Sequence, residues 1–473
     1  MNCYTALLCL SMIAVRAVSA ASVKPKYVEF DIARYFKQED LHSCPSSNSA
    51  VNSSVANRDY YYQITIGIGT PPQFVDFTLD TGSSDLWVFS ADNPALLGTK
   101  NGINTESSAI AFNSNISSTF HKLDVPFEIY YGDRTYAAGS LVTDNLDIGG
   151  MKINNATFAL ATTGNSSTGV FGIGFTQNES EAKYKESESS PHPTYLNVPA
   201  LMKHEGLIHS NTYSLWLNDV KANIGSILFG AVDRSKYCGQ MMLVPFYNNY
   251  QNYSEHPTQA RIMLNGIKLD NELQIDMNIA VLIDSGTSLA YLPEYVVASI
   301  GSQIGFEYDY VTQFYIGNAT AALKKINTVQ LNFSGAVINV ALKDLLISLS
   351  YVEGLSDDMT VGPNDIAMLA LGIAKEEYQY ILGDAFMRSM YAVFDLDNYQ
   401  FGLAQAKYTS AKPDIVPVIA SIPNAIAAPG YANTIVDTFM TAYDPKSKTH
   451  SPSTSTLVNR PMQTPNGMFN STQ

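Results

Sequence analysis

Two distant segments of the chain carry an aspartate in nearly the same short pattern. FTLDTGSSDLWV contains Asp80, and VLIDSGTSLAYL contains Asp284, which lies 204 positions further along. In each, a hydrophobic run leads into Asp, a hydroxyl residue, Gly and two more hydroxyl residues. A single Asp-Gly is most often a plain turn. Two such turns inside matched hydrophobic flanks indicate a common chemical task.

A pair of facing carboxyl groups can hydrolyse an amide bond without a metal or a nucleophilic side chain. One carboxylate takes a proton from water, while one carboxylic acid polarises the carbonyl. Two carboxyl groups in contact cannot both ionise, so they share one proton and titrate as a pair. Building this pair requires one aspartate from each of two loops that face one another.

The repeat extends beyond the aspartates and indicates two related lobes. Downstream of Asp80 the chain reads GVFGIGF, with Gly172, and downstream of Asp284 it reads YILGDAF, with Gly383. The same features in the same order indicate a duplicated unit. A chain of 473 residues is also longer than one core usually fills.

The elements around these motifs are mostly strands between about residues 60 and 408. The segment FEIYYGDRTYAAGSLVTDNLDIGG predicts a hairpin with a tight turn. Two stretches, VPALMKHEGLI and PEYVVASIGSQIG, predict short helices. The pattern therefore indicates a mostly β protein.

Six motifs together make the chain resemble the pepsin-like aspartic proteases, most closely the fungal secreted and yapsin-like members. They are DTGSSDLWV, YYGDRTYAAG, FGIGF, LFGAVDRSKYCG, IDSGTSLAYLP and ILGDAFMRSMYAVFDLDN. The resemblance covers about residues 60 to 407. It implies a bilobal β fold with an inter-lobe sheet and short helices. It places the N-terminal lobe at 59–240 and the C-terminal lobe at 241–408, and it implies a secreted acid endopeptidase of extended peptides or proteins.

The resemblance also implies roles for residues beside Asp80 and Asp284, the expected catalytic pair. Gly82 and Gly286 let backbone amides approach the carboxylates. The hydroxyls of Thr81 and Ser285 bond the opposite loop. The hydroxyls of Ser83 and Thr287 contact the outer carboxylate oxygens.

The hairpin matches the flap of the same family. Tyr131 is expected to close over substrate and to bond the indole of Trp87. Gly132 and Asp133 would offer groups to an extended peptide, and Asp133 could accept a basic side chain beside the cut. Arg134 stands where the family usually has Gly, which alters the expected turn geometry and charge preference.

The two ends of the chain and its composition limit the functions that remain possible. Residues 1–20 resemble a signal peptide, residues 21–58 a probable prosegment or N-terminal segment, and residues 409–473 a Ser/Thr/Pro-rich disordered tail without a lipid-anchor signal. A net charge of −15 argues against nucleic acid and anionic membranes as partners, and a monomer is expected. Nine glycosylation sequons favour secretion, at Asn52, Asn115, Asn155, Asn165, Asn178, Asn252, Asn318, Asn332 and Asn470.

Two cysteines, Cys44 and Cys238, remain after the signal peptide. An oxidising compartment favours a disulfide between them, and the alternative is two unpaired thiols. A cut at Arg58 would then leave two linked pieces.

No cofactor or metal is expected. The spacing of His192, His204 and His209 matches no metal-binding pattern. Two other functions are considered: a catalytically silent pepsin-fold binding or inhibitory protein, and a cell-wall glycoprotein. A lost aspartate or a broken Asp-Thr/Ser-Gly would favour the first, and both motifs are intact.

Overall fold

The computed structural model describes residues 26–36, 60–93, 111–180, 195–222, 224–249, 254–270, 272–356, 358–409 and 411–432. Strands β1 to β13 are Val28–Phe36, Tyr60–Ile68, Gln73–Asp80, Leu86–Ser90, Ala111–Phe112, His121–Tyr130, Tyr136–Ile148, Met151–Gly164, Gly169–Gly172, Thr212–Trp216, Ile224–Phe229, Ala231–Asp233 and Tyr237–Pro245. Strands β14 to β28 are Arg261–Leu269, Leu273–Ile283, Ala290–Leu292, Glu307–Asp309, Phe314–Asn318, Thr328–Phe333, Ala336–Ala341, Leu346–Ser348, Ile366–Leu369, Leu371–Ile373, Ile381–Leu382, Met390–Asp395, Gln400–Ala406, Ile415–Pro417 and Ile426–Ala427.

The helices are few and short. Helices α1 to α5 are Val198–His204, Glu294–Ile304, Ala319–Lys325, Leu349–Val352 and Asp384–Met387. The side chain of Asn197 accepts a hydrogen bond from Ala200 N and caps α1, while Gly305 ends α2 with φ of 84°. Both helices fall where the sequence predicts them.

One large sheet joins the two halves of the chain. Its order is β28-β13-β26-β25-β10-β11-β1-β2-β3-β9-β4-β8-β7-β6. The halves meet where β10 pairs antiparallel with β25, with Thr212 opposite Asp395. The second half adds a seven-stranded sheet and a four-stranded sheet. This arrangement confirms the predicted mostly β fold with a sheet shared between the lobes.

A main hydrophobic cluster runs through both halves, and a separate cluster lies under the hairpin. The separate cluster, which we call the flap cluster, consists of Trp87, Phe89, Phe127, Ile129, Ala137, Leu141, Ala159, Ala161 and Val170. The hairpin formed by β6 and β7 therefore packs on its own aromatic base.

Part of the predicted prosegment is a strand of the central sheet. β1 pairs with β11 from Val28 to Ala33 and with β2 from Ala33 to Phe36. Val28, Phe30 and Ile32 are buried in the main cluster. Removing this strand would open two sheet edges and expose core side chains. The predicted lobe boundary after residue 240 lies inside β13 of the same sheet.

The predicted disorder of residues 409–473 is wrong for residues 411–432. β27 pairs with β12, and β28 pairs with β13. Val418, Ile422 and Ala428 are buried. The segment Ile415–Ala428 is rich in apolar residues, and the Ser/Thr/Pro-rich composition begins only after it. Residues 433–473 lie outside the described residues.

Four predicted site residues lie outside the described residues. They are Cys44, Asn52, Asn252 and Asn470. Cys238 is exposed on β13, and its pairing with Cys44 stays a prediction because Cys44 lies outside the described residues. Of the remaining sequons, Asn115, Asn155, Asn165 and Asn332 are exposed, and Asn178 and Asn318 are half-buried.

Within the part of the chain that the structure describes, no helix is both long and apolar enough to span a bilayer. The same residues contain no group of three or more His, Cys, Asp or Glu side chains placed to hold a metal ion.

We expect β1 to remain in the folded protein after any processing. Ile32 is fully buried, so Ile32→Ala should lower the free energy of unfolding by about 2–4 kcal/mol. Asp31→Ala changes an exposed neighbour on the same strand and should stay within about 0.5 kcal/mol. Urea unfolding of the purified protein measures both. An unchanged midpoint for Ile32→Ala would show that this strand is absent from the purified protein.

Candidate active site

Asp80 lies at the end of β3, at a crossing of backbone segments. β3 runs parallel to β9, with Asp80 opposite Gly172. A Cβ atom on Gly172 would lie 2.6 Å from Asp85 N and 2.7 Å from Ser84 N. Only glycine allows this crossing, which fixes the loop that follows Asp80.

Asp284 occupies the related position in the second half. It follows β15, which runs parallel to β24, and its N–H donates to Leu382 O at 3.1 Å. A Cβ on Gly383 would lie 2.1 Å from the carbonyl oxygens of Thr287 and Leu289. The apolar-apolar-Gly segments found in the sequence are therefore the strands that support the two aspartate loops.

Hydroxyl groups tie the two loops together. Thr81 Oγ1 donates to Ile283 O at 2.8 Å and accepts from Ser285 N at 3.0 Å. Ser285 Oγ in turn donates to Leu79 O at 2.8 Å and accepts from Thr81 N at 3.2 Å. These four buried bonds give each loop a partner that only the other half supplies.

Each carboxylate also receives donors from its own loop. Asp80 Oδ1 accepts from Gly82 N at 2.7 Å, and its Oδ2 accepts from the Ser83 hydroxyl at 2.5 Å. Asp284 Oδ1 accepts from Gly286 N at 2.8 Å. Its Oδ2 accepts from the hydroxyl of Thr287 at 2.6 Å. Asp80 Oδ1 also accepts from Ser83 N at 3.2 Å, so the two aspartates have similar but not identical donors.

The glycines of the two loops lie against the opposite carboxyl group. A Cβ on Gly82 would lie 2.7 Å from Asp284 Cγ, and one on Gly286 would lie 2.8 Å from Asp80 Oδ1. Both positions therefore exclude any larger residue.

The carboxyl groups are buried and adjacent. Asp80 is 6% exposed and Asp284 is 8% exposed. Loss of hydration raises the pKa of Asp80 well above its ordinary value, and the charge and hydrogen bond of Asp284 raise it further. These electrostatic effects favour a pair of carboxyl groups that together keep one proton.

The hairpin turn places Tyr131 next to this pair. Trp87 Nε1 donates to the Tyr131 hydroxyl at 2.8 Å, and Trp87 is fully buried in the flap cluster. Loss of hydration and the nearby charge of Asp80 raise the pKa of Tyr131 well above its ordinary value. Tyr131 therefore stays neutral beside the carboxyl groups.

Comparison with known proteins accounts for this arrangement. The family model described as eukaryotic aspartyl protease matches residues 61–406, which include both aspartate loops and the flap hairpin. This chain belongs to the eukaryotic aspartyl protease family.

Two fungal proteases are among its relatives. Aspartic proteinase yapsin-3 of Saccharomyces cerevisiae is 34% identical over 419 residues, which is 86% of this chain and 78% of the relative. The acid protease of Saccharomycopsis fibuligera is 35% identical over 365 residues, 77% of this chain and 85% of the relative. Together with the family match, these relatives identify an aspartic-type endopeptidase.

A solved structure shows the same fold. The aspartic proteinase from Irpex lacteus superposes with a TM-score of 0.60 at 18% identity, covering 81% of this chain and 99% of that chain. The bilobal β fold of the protease family is therefore present here.

The flap of this aspartic protease departs from a relaxed hairpin. Asp133 Oδ1 accepts bonds from Thr135 N at 2.8 Å and from the Thr135 hydroxyl at 2.7 Å. Arg134 has φ of 73°, a left-handed conformation that suits glycine better. Gly132 is exposed with nothing within 4 Å of a Cβ built on it. A glycine would adopt this φ without strain, so Arg134 in place of the expected glycine adds strain to the turn.

Two side-chain amides behind the first aspartate loop leave no local signal in the sequence. Asn178 Nδ2 donates to Gly82 O at 3.3 Å, and Asn197 Nδ2 donates to Gly174 O at 2.8 Å. The sequence marks Asn178 only as a sequon and gives no sign of a role for Asn197. Their partners are 96 and 23 positions away, so no local pattern shows these contacts.

We expect Gly286→Ala to abolish or strongly reduce peptide hydrolysis, because its Cβ would displace Asp80. Gly362→Ala is the matched control, since its Cβ would meet its nearest neighbour at an ordinary 3.4 Å. Initial rates on a peptide substrate, with thermal unfolding to verify folding, test the pair. Equal activity of the two folded variants would contradict the close approach of Gly286 to the carboxyl pair.

Proposed function

We propose that this protein is a secreted endopeptidase that hydrolyses peptide bonds at acidic pH through Asp80 and Asp284. The proposal depends above all on one observation: two buried, adjacent carboxyl groups, held by matched loops from the two halves. The predicted signal peptide and sequons support secretion. The name of the relative from Saccharomycopsis fibuligera, acid protease, supports work at acidic pH.

The chemistry follows from the shared proton. Because the ionised carboxyl group of the pair takes a proton from water, the oxygen of that water can attack the scissile carbonyl carbon. The protonated group donates its proton to the carbonyl oxygen, which becomes a hydroxyl of a tetrahedral intermediate. The pair then donates its remaining proton to the nitrogen. As the C–N bond breaks, a hydroxyl of the intermediate returns a proton to the pair, which again holds one. Since the donors from both loops are fixed in advance, little reorganisation is needed during these steps.

The substrate in this proposal is an extended peptide or protein that lies under the flap. Gly132 and Asp133 lie in the exposed turn, where backbone groups can pair with an extended chain. Asp133 uses Oδ1 in its own turn, so attraction of a basic side chain would depend on its other oxygen. We therefore propose that basic residues at the cut are accepted without being required.

A catalytically silent binding protein is the second candidate from the sequence. The intact donors to both carboxylates favour hydrolysis over this alternative, since a binding role alone does not require them.

Asp80→Asn and Asp284→Asn should each abolish cleavage, because an amide cannot complete the pair that shares a proton. Asp124→Asn is the control, since Asp124 has an exposed side chain and φ of 55°, which asparagine tolerates. Cleavage of a peptide library by each purified secreted variant is the measurement. Substantial activity in either folded active-site variant would refute the assignment, whereas a folded parent that cleaves no peptide of the library would favour the binding role.

The rate should fall on both sides of a pH maximum. In acid both carboxyl groups bind protons and no base remains, and as pH rises through the raised pKa of Asp80 the shared proton is lost. The Ser83 hydroxyl lowers this pKa by bonding the carboxylate, so Ser83→Ala should move the alkaline limb to higher pH. Profiles of kcat/KM against pH test this, and a shift to lower pH would contradict it.

Arg134→Gly should increase the preference for basic residues at the cut if the arginine masks Asp133. Arg134→Ala removes the same charge but keeps a Cβ at φ of 73°, so it separates charge from backbone strain. The same shift in specificity in both variants, measured by library profiling, supports masking by charge. A profile equal to the parent's in both would rule masking out.

A further inference from the structure

The turn that presents Tyr131 is fastened to a neighbouring segment by one side chain. Asn165 follows directly after β8, beside the turn. Its Oδ1 accepts a hydrogen bond from Tyr136 N at 2.7 Å, and its Nδ2 donates to Arg134 O at 3.3 Å. Its own N–H donates to Tyr136 O at 3.2 Å. We call this set of three bonds the flap clamp.

The flap clamp acts on the strained part of the turn. Within the turn, Tyr131 N donates to Thr135 O at 2.9 Å and Arg134 N donates to Tyr131 O at 3.1 Å. Arg134 nevertheless has φ of 73°, a conformation that persists in a non-glycine residue only where its surroundings enforce it. The carboxamide of Asn165 bonds the carbonyl of that residue and the N–H two positions later.

A close approach of the backbone fixes the position of Asn165. In the β7–β8 ladder Gly164 lies opposite Ala137, and a Cβ on Gly164 would lie 2.6 Å from Tyr136 O. Only glycine lets the end of β8 come this near to the hairpin. The next residue, Asn165, therefore meets the turn with little freedom of its own.

We propose that Asn165 is a positioning residue for the flap, whose carboxamide holds the turn in the shape that places Tyr131 near the carboxyl pair. This inference rests on the proposed function. Asn165 acts through the backbone of Arg134 and Tyr136 and has no contact with the reacting atoms. A flap that shields the reaction from water must close in a defined place, so a looser turn slows catalysis without unfolding the protein.

The same asparagine lies in the sequon Asn165-Ser166-Ser167. A glycan would replace one hydrogen of Nδ2, the atom that donates to Arg134 O. The exposed Ser167 allows a matched control, because Ser167→Ala removes the sequon while keeping the carboxamide. A difference between the Asn165 and Ser167 variants therefore measures the clamp rather than the glycan.

The experiment compares full-length secreted protein with Asn165→Ala, Asn165→Asp, Ser167→Ala, Arg134→Gly and the double change Asn165→Ala with Arg134→Gly. The readout is kcat/KM on a peptide that lacks Lys and Arg, with thermal unfolding recorded for each. Asn165→Ala should lower kcat/KM roughly tenfold, which corresponds to two ordinary hydrogen bonds of modest strength. Asn165→Asp keeps the acceptor for Tyr136 and should lose less activity, while Ser167→Ala should match the parent.

The double change separates a clamp from a general packing role. Glycine at position 134 relieves the backbone strain that the clamp holds in place, so Arg134→Gly should restore most of the activity lost in Asn165→Ala. Parent-like kinetics in Asn165→Ala, an equal loss in Ser167→Ala, or additive effects in the double change would each overturn the proposal. Asp80→Asn is included as well. If it still cleaves the peptide, the proposed function fails, whereas a failure of the clamp leaves Asp80→Asn inactive and the parent active.

Discussion

The repulsion between two buried carboxylates is the constraint on which the rest of this structure depends. Asp80 and Asp284 touch in a poorly hydrated site, where a second negative charge is costly. Left free, the two loops would separate and each carboxylate would find water. The bonds between Thr81 and Ser285 prevent this, because each hydroxyl satisfies buried backbone groups of the opposite loop. The loops therefore reach their final form only together.

The central sheet transmits that constraint to the whole molecule. β10 and β25 pair across the halves, and β1 lies between β11 and β2 in the same sheet. The strands beneath the pair can therefore shift little relative to one another. The hairpin has a different base, since the flap cluster is separate from the main cluster. A rigid sheet beneath the carboxyl pair, combined with a separately supported hairpin, suits an enzyme whose site must open for each substrate.

Sequence reasoning succeeds where the information is local or repeated. The two aspartate turns, the hairpin and the helices at Val198–His204 and Glu294–Ile304 each have a short pattern, and the duplication joins the turns. It fails for β1 and for β27, because pairing with β11 and β12 depends on residues far along the chain. A composition averaged over the C-terminal segment also hides its apolar beginning.

The contacts of asparagine show the same limit at the level of single side chains. Asn165 and Asn178 both appear in the sequence only as sequons, yet one holds the flap and the other bonds Gly82 O. A carboxamide has one acceptor and two donor hydrogens, so it can satisfy backbone groups that a turn leaves unpaired. An arginine at a left-handed position costs about 1–2 kcal/mol relative to a right-handed one. A side chain that bonds its carbonyl offsets part of that cost and lets the flap carry a positive charge where glycine would fit more easily. The charge of Arg134 at the tip of the turn and the carboxamide of Asn165 at its base therefore depend on each other. The effect of a substitution at either residue should be interpreted together with the other.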